Sequence, residues 1–212
     1  MFLVGLTGGI ASGKSEVGER FVMAGAELVD ADEIAREVTL PGEEPYRKVV
    51  EHFGTEILDE DGFIDRAALG GIIFADPGRR AVLNELTHPP VVARIADYLE
   101  LLTAFDGLVV LDVPLLVEAG MEDGFEAIVV VACDPETQVR RLVERRGATE
   151  AAARARLAAQ APLDDKIAVA THVIWNDGTL VELYEQADTV AAELAARARE
   201  KAEAQAAELP DD

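Results

Sequence analysis

The chain has 212 residues, half of them apolar, and a formal net charge of −22 from 41 acidic and 19 basic residues. This length makes one large domain or a core with small insertions, and the apolar share excludes a disordered chain. A surface this acidic repels nucleic acid and anionic membranes at long range, which argues against both as partners and leaves a local basic pocket to bind a small anion.

The start, MFLVGLTGG, has no basic segment and its apolar run stops after a few residues, so it does not read as a signal peptide. Phe2 to Leu6 reads instead as a strand buried on both faces. No run approaches the roughly 20 apolar residues that span a bilayer, so a soluble cytoplasmic protein is expected, as a monomer or weak homo-oligomer.

Next comes Gly8-Gly9-Ile10-Ala11-Ser12-Gly13-Lys14-Ser15, which satisfies G-x-x-x-x-G-K-[ST] in full. It is either a glycine-rich turn or a phosphate cradle. Its place between a buried strand and an amphipathic helix favours the cradle. Glycines let consecutive backbone N–H groups turn inward at a helix N-terminus, making a concave anion site. Lys14 adds a point charge for the terminal phosphates, and the Ser15 hydroxyl can complete a Mg²⁺ shell. Glu16 sets a negative charge beside them; pointing outward in the first turn it favours the helix dipole.

Ala26 to Val29 is a weaker strand candidate, and VDAD then sets Asp30 and Asp32 two residues apart at its end. Phosphoryl transfer to an alcohol needs a carboxylate that accepts the hydroxyl proton. Asp32 fits that task, with Arg36 one helical turn on for an acceptor anion; the competing reading is plain helix capping by either aspartate. About 75 residues follow with helical patterns and no convincing strand, more than a crossover helix requires, and this block is expected to cover an acceptor. Within it, Asp76-Pro77 offers an N-cap followed by proline.

Leu108 to Val113 (LVVLDV) and Ala127 to Ala132 (AIVVVA) are strong β-branched strands. Asp112 stands at the carboxyl end of the first, either holding Mg²⁺ directly or through water or simply ending a strand. The lone Cys133 excludes an internal disulfide, fits a reducing compartment, and reads as a small buried residue at a strand end. Asp134-Pro135 repeats the cap-and-proline signal before RRLVERRGATEAAARARLAAQ, with arginines at 140, 141, 145, 146, 154 and 156. These make a solvated helical pair with i,i+4 charge pairing or an arginine-bearing lid over a polyphosphate, and the acidity of the chain favours the lid.

His172 to Trp175 (HVIW) is the last strand. Asn176 and Gly178 follow on a loop, where an asparagine amide reads an adenine edge or merely makes a turn; Trp175 is expected in sheet packing. Thr179 and Glu182 form a capping box, and Leu180, Leu183, Ala187, Val190 and Leu194 hold a helical stripe. That helix is expected to fray in an alanine- and glutamate-rich tail ending Leu-Pro-Asp-Asp. Strands alternating with helices predict an α/β fold with a parallel sheet covered on both faces.

From Leu3 to about Ala187 the chain resembles the dephospho-coenzyme A kinase family in the order and spacing of GLTGGIASGKS, VDADEIAREV, FGTEILDEDGFIDRAAL, THPPV, VPLLVE, RRLVERRG with the downstream AAQ, and VIWNDG. The resemblance implies a P-loop NTPase fold of the nucleoside-monophosphate-kinase type. Its core would be a five-stranded parallel sheet with flanking helices (1–30, 106–138, 170–205), with a helical acceptor-binding insertion at about 31–105 and a small helical lid at about 139–169. It also implies transfer of the γ-phosphoryl group of ATP to the ribose 3′-hydroxyl of dephospho-CoA with Mg²⁺, the last step of coenzyme A synthesis.

On matching positions, Asp32 would take the hydroxyl proton while Lys14 and Arg140 stabilise charge on the transferred group. ATP would lie on Gly8, Gly9, Ile10, Ala11, Ser12, Gly13, Lys14, Ser15 and Glu16, with Arg140, Asn176 and Gly178. Thr7, Asp32, Arg36, His88, Leu115, Leu116 and Glu118 would line the acceptor pocket, and Ser15 and Asp112 would hold the metal. On pattern alone His88, before Pro89-Pro90, reads as a helix start. The chain departs from the family at Ala11 and Glu16, where glycine and threonine are usual, at Lys166 for arginine, and at Thr171 for aspartate. Two other readings share the cradle: another P-loop small-molecule kinase, such as a nucleoside kinase, and a non-catalytic nucleotide-dependent switch, which needs Lys14 and Ser15 but neither Asp32, Arg36 nor an arginine lid.

Overall fold

A computed structural model describes residues 1–207. It divides into two compact units, Met1–Val29 together with the chain from Leu102 onward, and Asp30–Leu101. The first unit opens with β1 (Phe2–Gly8), α1 (Lys14–Met23) and β2 (Glu27–Asp30). The second holds α2 (Ala31–Glu37), α3 (Glu44–Phe53), a 3-10 turn at Thr55–Ile57, α4 (Arg66–Ala75) and α5 (Pro77–Leu101). The chain then returns with β3 (Leu108–Asp112), β4 (Ala127–Ala132), α6 (Pro135–Arg146), α7 (Glu150–Ala158), α8 (Leu163–Ala168), β5 (His172–Trp175) and α9 (Leu180–Ala207).

The five strands form one parallel sheet in the order β2-β3-β1-β4-β5. Every residue of β3 and β4 is buried, as continuous apolar runs covered on both faces require. The register sets Leu6 beside Asp112 and Gly8 beside Val131, so the glycine loop leaves the sheet between the carboxyl ends of β3 and β4. Val17 and Phe21 of α1 and Leu183, Ala187, Ala191 and Leu194 of α9 pack with Val4, Val110, Val129 and Ile174 in one core. The α9 stripe differs from the expected one: Leu180 is half exposed, while Ala191 and Ala198 are buried. Small residues at those positions let the helix approach its neighbours closely.

The capping signals form as read. Asp76 accepts from the amides of Gly78 and Arg79, Asp134 from Glu136, and Thr179 and Glu182 bond each other's amides reciprocally. Trp175 departs from expectation: it ends an edge strand, the pleat turns Ile174 inward, and the indole stays 46% exposed. Gln186 of α9 instead closes that edge, bonding the Trp175 amide at 3.0 Å and its carbonyl at 2.9 Å. The alanine- and glutamate-rich tail is helical through Ala207, anchored by Lys201, which reaches the Met1 carbonyl and Glu126. The closing Leu-Pro-Asp-Asp lies outside the described residues.

In the second unit Val49, Phe53, Ile57 and Leu69 form a small separate core, with Leu83 and Leu86 packed on it. An isolated antiparallel bridge joins Leu58 and Ile64. Pro89 and Pro90 lie inside α5 rather than at a helix start, so His88 is an exposed mid-helix residue. Among the described residues no helix is long and apolar enough to cross a membrane.

Candidate functional site

The loop from Gly8 to Ser15 is shaped by close approach and by positive φ. A Cβ on Gly8 would lie 2.5 Å from the Val131 carbonyl and 2.8 Å from the Ser12 hydroxyl. Gly13, at φ 96°, caps α1 without any side-chain bond, and a Cβ there would strike the Asn176 amide. Ala11, at φ 60°, is the one non-glycine residue with positive φ among the described residues.

Side chains distant in sequence fasten this loop from outside. Gln138 donates to the Ile10 carbonyl at 2.7 Å, and Gln160 accepts the Ile10 amide at 2.7 Å. Asn176 donates to the Ser12 carbonyl at 2.6 Å. The Arg141 guanidinium donates to Ala11 O (3.3 Å), Ser12 O (3.4 Å), Asn176 O (2.8 Å) and Asn176 Oδ1 (3.1 Å). A trans peptide points its N–H opposite its C=O. Holding the Ile10 and Ser12 carbonyls therefore aims the amides of Ala11 and Gly13 the other way, toward the hollow. At the start of α1 the Glu16 amide bonds back to the Gly13 carbonyl at 3.1 Å, and a helix start leaves the amides of Lys14 and Ser15 without partners inside the helix. Ser12 Oγ is buried with no hydrogen-bond partner among the described residues. An uncapped helix start, inward amides and an orphaned hydroxyl together fit an anion with several oxygens.

The Lys14 ammonium pairs with Asp112, which is 6% exposed at the end of β3. Among the described residues no group of three or more His, Cys, Asp or Glu side chains could hold a metal. One carboxylate and the Ser15 hydroxyl instead fit a Mg²⁺ that takes its remaining ligands from phosphate and water. Glu16 turns to α9, where its carboxylate accepts from the Tyr184 hydroxyl at 2.8 Å. That bond, with some burial, raises the Tyr184 pKa. The awkward charge in the loop is thereby drawn sideways into helix packing.

Several expected contacts take a different form. Among the described residues the exposed Arg140 reaches Thr137, at 3.5 Å, whereas the adjacent Arg141 grips the loop. The Asn176 amide is engaged by Ser12 and Arg141 and is 4% exposed, so in this structure it fastens the loop. Gly178 is exposed beside Glu182. Arg154 is paired with Glu150 in the i,i+4 pattern of the plainer reading, and with Glu136 of α6 across the helix pair.

Thr7 is buried and donates to the Pro114 carbonyl at 3.2 Å, tying β1 to the segment after β3. Leu116 is a core residue at 0% exposure, while its neighbour Leu115 is 49% exposed. The Glu118 carboxylate takes both contacts from Lys166 (2.7 and 2.8 Å) and the Ala161 amide (2.9 Å). Burial alone would raise the Glu118 carboxyl, but Lys166 and Ala161 hold it below its ordinary value. Cys133 is buried, and burial pushes its thiol up to about 11, which rules out a thiolate nucleophile at neutral pH.

In the second unit Asp30 caps α2, accepting from the amides of Asp32 (2.7 Å) and Glu33 (3.1 Å). The cap thus falls to Asp30, and Asp32 is left exposed in the first turn with Arg36 exposed four residues on. Gln138, Arg141 and Gln160 were not singled out by role from sequence, although Gln160 stands in the AAQ segment that carries the resemblance and Arg141 in the arginine cluster.

Comparison with known proteins agrees across most of the chain. The family model for dephospho-CoA kinase matches residues 2–182. A dephospho-CoA kinase of Streptomyces avermitilis is 50% identical over 97% of this chain and all of its own length. One from Bacillus cereus is 43% identical over 89% of this chain and 94% of its own. Among solved structures, TT1252 from Thermus thermophilus superposes with a TM-score of 0.76 at 34% identity, covering 91% of this chain and 97% of that one. A dephospho-CoA kinase from Campylobacter jejuni gives 0.71 at 25% identity, covering 92% and 98%.

Proposed function

The chain belongs to the dephospho-CoA kinase family, and from that premise we propose that it transfers the γ-phosphoryl group of ATP to the 3′-hydroxyl of the dephospho-CoA ribose. What supports this reading is the fastened loop: its Ser12 carbonyl is held from outside, its Ser12 hydroxyl is buried without a partner among the described residues, and the Lys14 ammonium stands beside Asp112 at its end. In this reading, inward amides and Lys14 hold the β- and γ-phosphates and stabilise charge that grows on the transferred group. Asp32 accepts the proton of the 3′-hydroxyl as its oxygen bonds to the γ-phosphorus and the bond to the bridging oxygen breaks. Its support is local: Asp30 takes the cap and leaves the Asp32 carboxylate exposed.

Arg140, exposed on α6, adds positive charge to the transferred group, and the arginine-rich segment from 139 to 169 acts as the lid. Ser15 and Asp112 would hold Mg²⁺, which would supply positive charge against the charge that builds up on the phosphates during transfer. We place the reaction in the cytoplasm, in keeping with a single, buried, unpaired cysteine.

The test is an ADP-release assay with dephospho-CoA, nucleosides and nucleoside monophosphates as acceptors. Turnover of dephospho-CoA is expected; turnover of a nucleoside alone would assign the chain to a different small-molecule kinase activity.

A further inference from the structure

One face of α2 carries more than the expected base. Asp32, Arg36 and Thr39 are spaced i, i+4, i+7, so they line one side of the helix and the turn that closes it. The Thr39 hydroxyl donates back to Ala35 O (2.9 Å) and Arg36 O (3.1 Å), which fixes its direction. Onto that hydroxyl docks Arg66, the first residue of α4, with its Nη2 at 3.3 Å. Two guanidinium groups are thus brought to the same end of α2. Their closeness is felt electrically: loss of hydration where the side chain packs, and the charge of Arg36, push the Arg66 guanidinium below its ordinary value, and Asp32 works in the opposite direction.

Carboxylates near these arginines are engaged elsewhere. Asp65 caps α4 through the amides of Ala67 (2.8 Å) and Ala68 (3.1 Å). Glu37 and Glu43 both pair with Arg94, at 3.7 and 3.6 Å. Among the described residues neither Arg36 nor Arg66 forms an ion pair with a carboxylate, although the chain carries 41 acidic residues. Two like charges gathered without an internal counter-ion are costly unless an outside anion joins them, and the guanidinium fork matches phosphate oxygens.

We infer that Arg36 and Arg66 form the subsite for the diphosphate of dephospho-CoA, with Asp32 placed one ribose away at the hydroxyl to be phosphorylated. Four residues of helix rise by about 6 Å. That is the scale on which a ribose separates its 3′-oxygen from the diphosphate on its 5′-oxygen. The inference rests on the kinase reading above and names the acceptor group that Arg66, unassigned until now, would hold.

The experiment compares wild type with Arg66→Gln and Arg66→Lys, measuring KM and kcat for both substrates, dephospho-CoA binding by calorimetry, and Tm. Arg66→Gln is expected to raise KM for dephospho-CoA roughly 10- to 100-fold, the range for losing charged hydrogen bonds, with kcat, the ATP KM and Tm nearly held. Arg66→Lys should fall between, because it keeps the charge and loses the fork. An unchanged KM for dephospho-CoA overturns the subsite. So does a parallel rise in both KM values with a falling Tm, the signature of a purely structural arginine. A wild-type chain that bound dephospho-CoA through Arg66 but did not phosphorylate it would defeat the kinase reading and leave the subsite standing.

Discussion

In the reading proposed above, the nucleotide loop and the face of α2 meet the same task, holding phosphate, with different materials. The loop uses main chain, and its fastening is inward and buried: Gln138 is 5% exposed, Asn176 4%, and both bond loop carbonyls. The α2 face uses side chains on a short helix, and Asp32, Arg36 and Arg66 are all exposed. Backbone amides present the same donors whatever the side chains, so a loop fastened by buried side chains can be rigid and general toward any triphosphate tail. Exposed side chains on a helix select an acceptor by charge and spacing. The difference predicts different failures: damage to the loop should weaken everything the nucleotide does, and damage to α2 should leave nucleotide binding intact.

The largest effect should come from Lys14→Ala. It removes the one side-chain cation the motif places in the loop and leaves Asp112, 6% exposed, without that partner. A loss of roughly 10³-fold or more in kcat/KM is expected, the size seen when one preorganised electrostatic group is removed. Steady-state kinetics with ATP varied checks it, and wild-type turnover would break the cradle reading.

Asp32→Asn should come next, and with the opposite pattern. As loss of a general base it should lower kcat by roughly 10²-fold or more. Because Asp30 keeps the α2 cap, helix stability and the ATP KM should hold. A variant with normal kcat would remove Asp32 from the mechanism; one with a raised ATP KM would erase the contrast between the two regions.

The same contrast explains what could be read in advance. The inner strands were legible because parallel, doubly covered strands must be apolar throughout, and Ala127–Ala132 falls at the expected residues; the edge strand His172–Trp175, buried only at Ile174, does so too. The loop was legible because its chemistry is contiguous: glycines, lysine and serine act through neighbouring backbone atoms. Its fasteners were not, because Gln138, Arg141 and Gln160 lie 128, 130 and 150 residues from the loop atoms they bond. Nor could a run of arginines say which one faces inward; successive helical residues point about 100° apart, and only packing chose Arg141 over Arg140. Thr39 and Arg66 were silent for the same reason, since their meeting depends on how α2 and α4 are arranged within the second unit.

A third change asks how much of the loop's rigidity comes from α8. Glu118→Gln leaves the Lys166 ammonium, 1% exposed, without its counter-charge. Stability should fall by about 2–3 kcal/mol, somewhat under the figure for a wholly buried pair because the Glu118 side chain is 20% exposed. Denaturant unfolding measures it. The pH dependence carries a sign. Glu118 is depressed in the folded state, so its contribution is present above the unfolded carboxyl pKa and is lost as pH falls through the folded one. The variant should therefore lose less stability than wild type on acidification below the ordinary carboxylate range. Equal losses would mean that the pair contributes nothing to folding.

The smallest expected effect tests the loop's backbone directly. Ala11 holds φ at 60°, where a Cβ crowds the following carbonyl and costs roughly 1–2 kcal/mol, while glycine sits there freely. Glycine also gives the unfolded chain more freedom, which takes back about 0.4–1 kcal/mol. Ala11→Gly should therefore stabilise the fold by at most about 1.5 kcal/mol, visible as a rise of a few degrees or less in Tm. Its value lies in what should not change. The Ala11 carbonyl is gripped by Arg141 and the carbonyls on either side by Gln138 and Asn176, so the inward amides do not depend on the alanine methyl. The ATP KM should stay put while Tm edges upward. A shift in ATP KM with no gain in stability would mean that the loop's shape is set by local strain at Ala11 and not by the side chains that fasten it from outside.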